Sequence, residues 1–189
     1  MRTHRGALPK SPSWQDRAAD STLVACALVL AWALKSFYSH AAFKDLRWIL
    51  APTRWLVERL TGAAFEAEAN QGFLSRDRLY QIAPACAGVN FMIVAFASLA
   101  CGLVHTCSTR RGRLVLLGAS ALAAYSVTLL ANAARIALGM RLHDAGAALG
   151  PLTPGRLHCV VGVAVYFLFL CMLFAAGARV TGARHDFAL

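Results

Sequence analysis

The chain has 189 residues and a net charge of +10, with 58% of its residues hydrophobic and only 15% charged. At a mean hydropathy of +0.54, a soluble domain of this size lacks the interior to hide so much apolar surface, and the lipid bilayer is the natural solvent. The basic charge falls in short clusters between apolar runs and makes no face interleaved with aromatics, which argues against nucleic acid and for a topology signal with anionic lipid headgroups as counter-charge.

The N-terminal stretch places basic residues ahead of an apolar run, as a signal peptide does, but no small-x-small cleavage site follows, so it reads as a retained anchor. A bilayer core is crossed by about 20 helical residues. The first predicted span is 22–40, with Lys35 as its only charge. Residues 44–60, "KDLRWILAPTRWLVERL", interleave charges with Trp48 and Trp55, which predicts an amphipathic helix lying in the interface. The partial alternation around Asn70, Gln71 and Gly72 predicts a small hairpin. Three further spans are predicted over 86–107, 114–135 and 158–178. The expected fold is an all-α membrane protein: a polytopic bundle of four transmembrane helices with an interfacial helix and loop on the outer side. One integral-membrane domain covers 1–189, with a cytoplasmic tail at 1–20, an extracytoplasmic segment at 41–85 and a motif-bearing core at 84–167.

Orientation follows from the short loops. Arg110, Arg111 and Arg113 between the second and third spans, together with Arg2, Arg5, Lys10 and Arg17 before the first, predict cytoplasmic ends. Arg179 and Arg184 in the C-terminal tail agree. Both termini are then inside, and Cys86, Asn132, Arg135 and His158 all stand at outer span ends. A cysteine attacks as its thiolate, and a helix start favours an anion. The same dipole at the start of the fourth span disfavours imidazolium and leaves His158 able to accept a proton. Arg135, at the expected end of the third span, can hold an oxyanion or carboxylate in its planar fork. Asn132 lies one turn earlier on the same face, placed to orient the guanidinium. Gly88 and Gly162 would let the helices that carry these groups approach closely. Nucleophile, base and oxyanion stabiliser are the parts of acyl transfer. Taken singly, each has a blander reading: an inert small cysteine, a snorkelling arginine, an amphipathic interfacial histidine.

At these residues the sequence resembles the exosortase/archaeosortase family of multi-pass membrane cysteine transpeptidases. "ACAG" around Cys86 is similar to the family's Ala-Cys-Ser-Gly nucleophile block, "NAARI" at 132–136 to Asn-x-x-Arg-Ile, and "HCVVGVAVYF" at 158–167 to a histidine followed by glycine four on and then an aromatic. Ala87 departs from the pattern, which removes a hydroxyl beside the nucleophile. The short chain resembles the compact forms, such as exosortase K. The resemblance implies a membrane counterpart of sortase in the bacterial inner membrane, with its site on the extracytoplasmic side. It implies cleavage of C-terminal sorting signals (a short motif, an apolar helix and a basic tail, as in PEP-CTERM proteins) with Cys86, Arg135 and His158 catalytic. Neither metal nor cofactor is expected, and the expected partners are such sorting signals and membrane lipids.

Two other classes compete. A thiol redox protein would pair Cys86 with the neighbouring outer Cys159, although redox sites of that kind commonly use CxxC, which is absent. A non-catalytic membrane scaffold would need none of the chemistry. Zinc intramembrane proteolysis is disfavoured, because there is no HExxH.

Overall fold

The computed structural model describes residues 14–69, 71–104, 107, 109–146 and 154–180. Five α-helices dominate: α1 (Trp14–His40), α2 (Arg47–Thr61), α3 (Val89–Gly102), α4 (Arg110–Asp144) and α5 (Pro154–Val180). Among the described residues, four segments are long and apolar enough to cross a membrane, Asp20–His40, Pro84–Gly102, Arg110–Asp144 and Cys159–Gly177. They match the four expected runs, and the protein is an all-α polytopic membrane protein. α3 packs against α1 and α4, and α4 also carries α2 and α5. α1 meets its neighbours through Leu23, Ala27 and Ala31, a stripe at i, i+4 and i+8 whose small residues admit close helix contact.

The N-terminal ends of α1 and α4 lie together, joined by an ion pair. Arg113 donates through Nε to Asp20 Oδ1 at 3.0 Å, and its Nη2 lies 2.7 Å from the same oxygen. Thr109 caps α4 by accepting from Gly112 N at 3.0 Å. One pole of the bundle therefore holds the arginine cluster, and the opposite pole holds the segment between α1 and α3.

That segment is a built roof. α2, at 15 residues, rises about 22 Å, less than the hydrocarbon core, so it does not span. Its buried residues Ile49, Leu50, Thr53 and Val57 recur at helical spacing and are all fully buried, while Trp48 and Trp55 remain exposed. The apolar face of this helix is thus spent on the protein's own core. Three short strands follow, β1 (Phe65–Glu68), β2 (Gly72–Ser75) and β3 (Gln81–Ile82), in the antiparallel order β1-β2-β3. The expected hairpin is β1–β2, pairing Phe65 with Ser75 and Glu68 with Gly72. The third strand pairs Phe73 with Ile82 and was not foreseen. Glu58 of α2 accepts from Phe65 N at 2.9 Å and Phe73 meets Phe43 edge-on at 5.2 Å, so helix and sheet share one core.

Two expected boundaries need correction: the second span, expected to reach residue 107, ends at Gly102, and the third runs on past its expected end. The third span was expected to end near Arg135, but α4 continues to Asp144. Its 35 residues extend about 52 Å, well beyond a bilayer core of about 30 Å. The extension stays helical because Ile136, Gly139, Met140 and His143 form an i, i+3, i+4, i+7 stripe lining a cavity beside the roof. The fourth span opens at Cys159, where it was expected, but the helix that carries it begins one turn before His158 at Pro154, a residue suited to the first turn of a helix.

Candidate active site

The nucleophile candidate is delivered by a tight reversal. β3 ends at Ile82, Pro84–Ala87 form one 3-10 turn in which Cys86 N donates to Ala83 O at 2.8 Å, and Gly88 adopts φ +71° before α3 begins. Only glycine enters that region without strain. A side chain at Gly88 would also crowd Thr128, Asn132 and Tyr166, its Cβ lying 3.2–3.4 Å from an atom of each. Cys86 is therefore not the first residue of a long helix, as the apolar run suggested. It sits in the turn just before one, half-buried.

Asn132 is the hub. It is fully buried in α4, and buried polar groups persist only when they are bonded. Its Nδ2 donates to the Cys86 carbonyl oxygen. Its Oδ1 accepts from Tyr166 Oη at 2.9 Å and from Arg135 Nε and Nη2 at 3.3 Å each. One amide thus links the Cys86 turn, the Arg135 fork and α5. Arg135 also lies over the Tyr166 ring at 5.6 Å, and that ring stacks on Phe91 of α3 at 4.6 Å. At Gly162 the α5 backbone lies close enough that a Cβ would stand 3.2 Å from Arg135 Cδ. What holds Arg135 is this packing and hydrogen bonding. The helix-end dipole expected for it does not act there, since α4 runs nine residues further, from 135 to 144.

Cys86 and Arg135 line one cavity of about 340 Å³ between the roof and the ends of α4 and α5 nearest to it. His158 belongs to α5, one turn before Gly162 and two before Tyr166, so the three share a helix face, and the preceding Leu157 lines the cavity. The side chain of His158 lies outside the described residues. As the fifth residue of α5 it is past the first turn, so the dipole expected to favour a neutral ring is weaker than at a helix start. Cys159 is exposed and does not line this cavity.

Two further lining residues were not expected from the sequence. Tyr80 and His143 line the same cavity. Tyr80 Oη donates to Asp144 Oδ1 and lies 2.9 Å from His143 Nδ1. The bond to Asp144 is the first cause, with partial burial and the nearby acidic charges behind it, that pushes the Tyr80 hydroxyl up to about 12. It is therefore protonated at neutral pH. Tyr80 is aimed by a compact loop in which Ser75 Oγ donates to Asp77 Oδ1 at 2.5 Å and accepts from Tyr80 N at 2.9 Å. The signal for His143 was its place in the apolar stripe beyond Arg135, and for Tyr166 its spacing of four from Gly162.

A four-span membrane bundle thus gathers a cysteine and a clamped arginine in one roofed cavity. The chain matches the transmembrane exosortase family over residues 53–175, and it belongs to that family. The matched stretch takes in α2 from Thr53, the sheet, the Cys86 turn, α3, α4 and most of α5. Exosortases are membrane cysteine peptidases and transpeptidases that process C-terminal sorting signals. No curated protein and no solved structure matches the chain significantly.

Proposed function

We propose that this protein cleaves the C-terminal sorting signal of exported proteins through a thioester on Cys86, at the extracytoplasmic face of the bacterial inner membrane. The observation that carries the reading is that Cys86 and Arg135 line one cavity and are tied to the same buried amide of Asn132.

The sorting signal's apolar helix enters the bundle laterally and presents its scissile carbonyl beneath the roof. Cys86 Sγ attacks that carbon, and His158 takes the thiol proton. Negative charge then develops on the carbonyl oxygen, where the Arg135 fork, oriented by Asn132, stabilises it. The C–N bond breaks, His158 returns its proton to the departing amine, and the upstream protein remains as an acyl group on Cys86. Water or a cell-surface nucleophile resolves the thioester. Ala87 offers no hydroxyl beside the nucleophile, so the stabilising donors come from Arg135.

The test is cleavage of a membrane protein carrying a motif–helix–basic-tail signal, with variants checked for equal abundance. Cys86→Ala is expected to abolish cleavage and leave the fold intact, and His158→Ala to slow acylation by about 10²–10⁴-fold, as for a lost general base. Cleavage by Cys86→Ala at the wild-type rate would move the nucleophile elsewhere and favour the scaffold reading.

A further inference from the structure

The cavity has a second imidazole. His143 stands on the extension of α4 beyond Arg135 and lines the same space as Cys86. Its hydrogen bonding determines its tautomer. Tyr80 has one hydroxyl proton, and that proton goes to the Asp144 carboxylate, which only accepts. The contact of 2.9 Å between Tyr80 Oη and His143 Nδ1 must then be donated by the imidazole. With the proton on Nδ1, the neutral ring keeps its lone pair on Nε2. The chain Asp144–Tyr80–His143 thus does for this ring what a carboxylate does directly in a catalytic triad: it fixes a basic nitrogen. The reading above gives this ring no role.

We propose that His143 is the base of the second half-reaction, activating the nucleophile that resolves the thioester, an inference that rests on the Cys86 thioester proposed above. An acceptor H–X, with X the oxygen or nitrogen of water or an amine, enters the cavity on the roof side. His143 Nε2 takes the proton as X bonds to the thioester carbon. The C–S bond breaks, the Cys86 thiolate leaves, and the imidazolium proton returns to sulfur. The enzyme is regenerated with no external oxidant or reductant. The cavity of about 340 Å³ is roughly ten times a water's share of liquid volume, room for an acyl group and a small acceptor together. Two imidazoles divide the labour: His158 serves acylation from α5, and His143 serves deacylation from α4. Tyr80 and Asp144 are positioning residues, acting only through the ring.

The experiment uses the full chain in liposomes, acetylated with p-nitrophenyl acetate, and follows acetyl on the Cys86 peptide by mass spectrometry. Wild type is expected to lose the acetyl group faster than S-acetyl-N-acetylcysteine in the same buffer. His143→Gln is expected to slow that loss by about 10²-fold, the lower end for a missing general base. Tyr80→Phe, which frees the ring to adopt either tautomer, is expected to slow it several-fold. Runs in water alone and with added diglycine separate hydrolysis from transfer to an amine, and slowing in either supports the assignment. Hydroxylamine is nucleophilic without deprotonation, so the ratio of wild-type to His143→Gln rates is expected to fall to near one. A ratio that stays high marks a collapsed cavity and overturns the assignment. Decay in His143→Gln equal to wild type, or wild-type decay no faster than the free thioester, also overturns it and leaves the Cys86 thioester standing. Failure of Cys86 to take up acetyl at all overturns both.

Discussion

The roof and the lower bundle solve the packing problem in opposite ways. In the roof, α2 buries Ile49, Leu50 and Val57 completely, and the sheet adds Phe65, Phe73 and Ile82 to the same core. In the bundle, α5 leaves Val163 70% and Phe167 68% exposed, and α1 leaves Trp32 72% exposed. In water such exposure would be costly, but lipid tails are as apolar as these side chains, and it costs little there. Dense packing is concentrated where the chain meets water, and that is also where Cys86 and Arg135 are held. The tightest packing in this protein belongs to its roof and the helix ends beneath it.

That contrast can be broken or sharpened by substitution, starting where the largest change is expected. Arg135→Lys keeps the charge but replaces a fork, bonded through Nε and Nη2 to Asn132, with a single ammonium. Sorting-signal cleavage is expected to fall by about 10²-fold, in the range for a lost oxyanion donor, while thermal unfolding in detergent stays near wild type. Unchanged cleavage would separate Arg135 from the chemistry.

Asn132→Ala strips partners from the Cys86 carbonyl, Tyr166 Oη and Arg135 at once. Each orphaned buried group costs about 1–3 kcal/mol, and a total near 3 kcal/mol is expected in unfolding measurements. Gly88→Ala forces a Cβ into the left-handed region at φ +71° against Thr128, Asn132 and Tyr166. The expected loss is about 2 kcal/mol, with cleavage falling as the Cys86 turn shifts. Full stability in either variant would mean that the hub adds nothing to the packing beneath the roof.

The sequence shows the two regions with unequal clarity, for the same physical reason. Spans are solvated by lipid, so their signal is local: a run of apolar residues long enough to cross, which located all four. The roof is held by contacts between distant residues, and its signal is weaker. The two-residue strand β3 exists only because Phe73 and Leu74 offer an edge to Ile82 and Gln81. The extension of α4 looked like a loop because Arg141, His143 and Asp144 interrupt it, though its apolar stripe at Ile136, Gly139 and Met140 keeps helical period. Cys86, Asn132, Arg135 and His158 were expected together at one depth; the first three are joined by hydrogen bonds, while the His158 side chain lies outside the described residues. What joins the three is a buried amide rather than a helix dipole, and it becomes visible only once α3, α4 and α5 are packed. His143 and Tyr80, 63 residues apart, could not be joined by reading along the chain.

The smallest effects come from two adjacent residues of α5 that divide the regions between them. Tyr166 turns inward, donates to Asn132 and stacks on Phe91, whereas Phe167 is 68% exposed on the side that lipid covers. Tyr166→Phe keeps the stacked ring and removes one hydrogen bond to a buried amide, for an expected cost of about 1 kcal/mol. Cleavage is expected to fall several-fold, because Asn132 Oδ1 loses the donor that fixes it against Arg135. Phe167→Ala deletes a whole aromatic side chain, yet it opens no cavity inside the protein and breaks no bond to the hub. Its expected effect is within about 0.5 kcal/mol, as for substitutions away from packed features, with cleavage unchanged. A larger loss from the bigger deletion would mean that the outer face of α5 is covered by protein and not lipid. The contrast between a packed roof and a lipid-solvated bundle would then fail at α5.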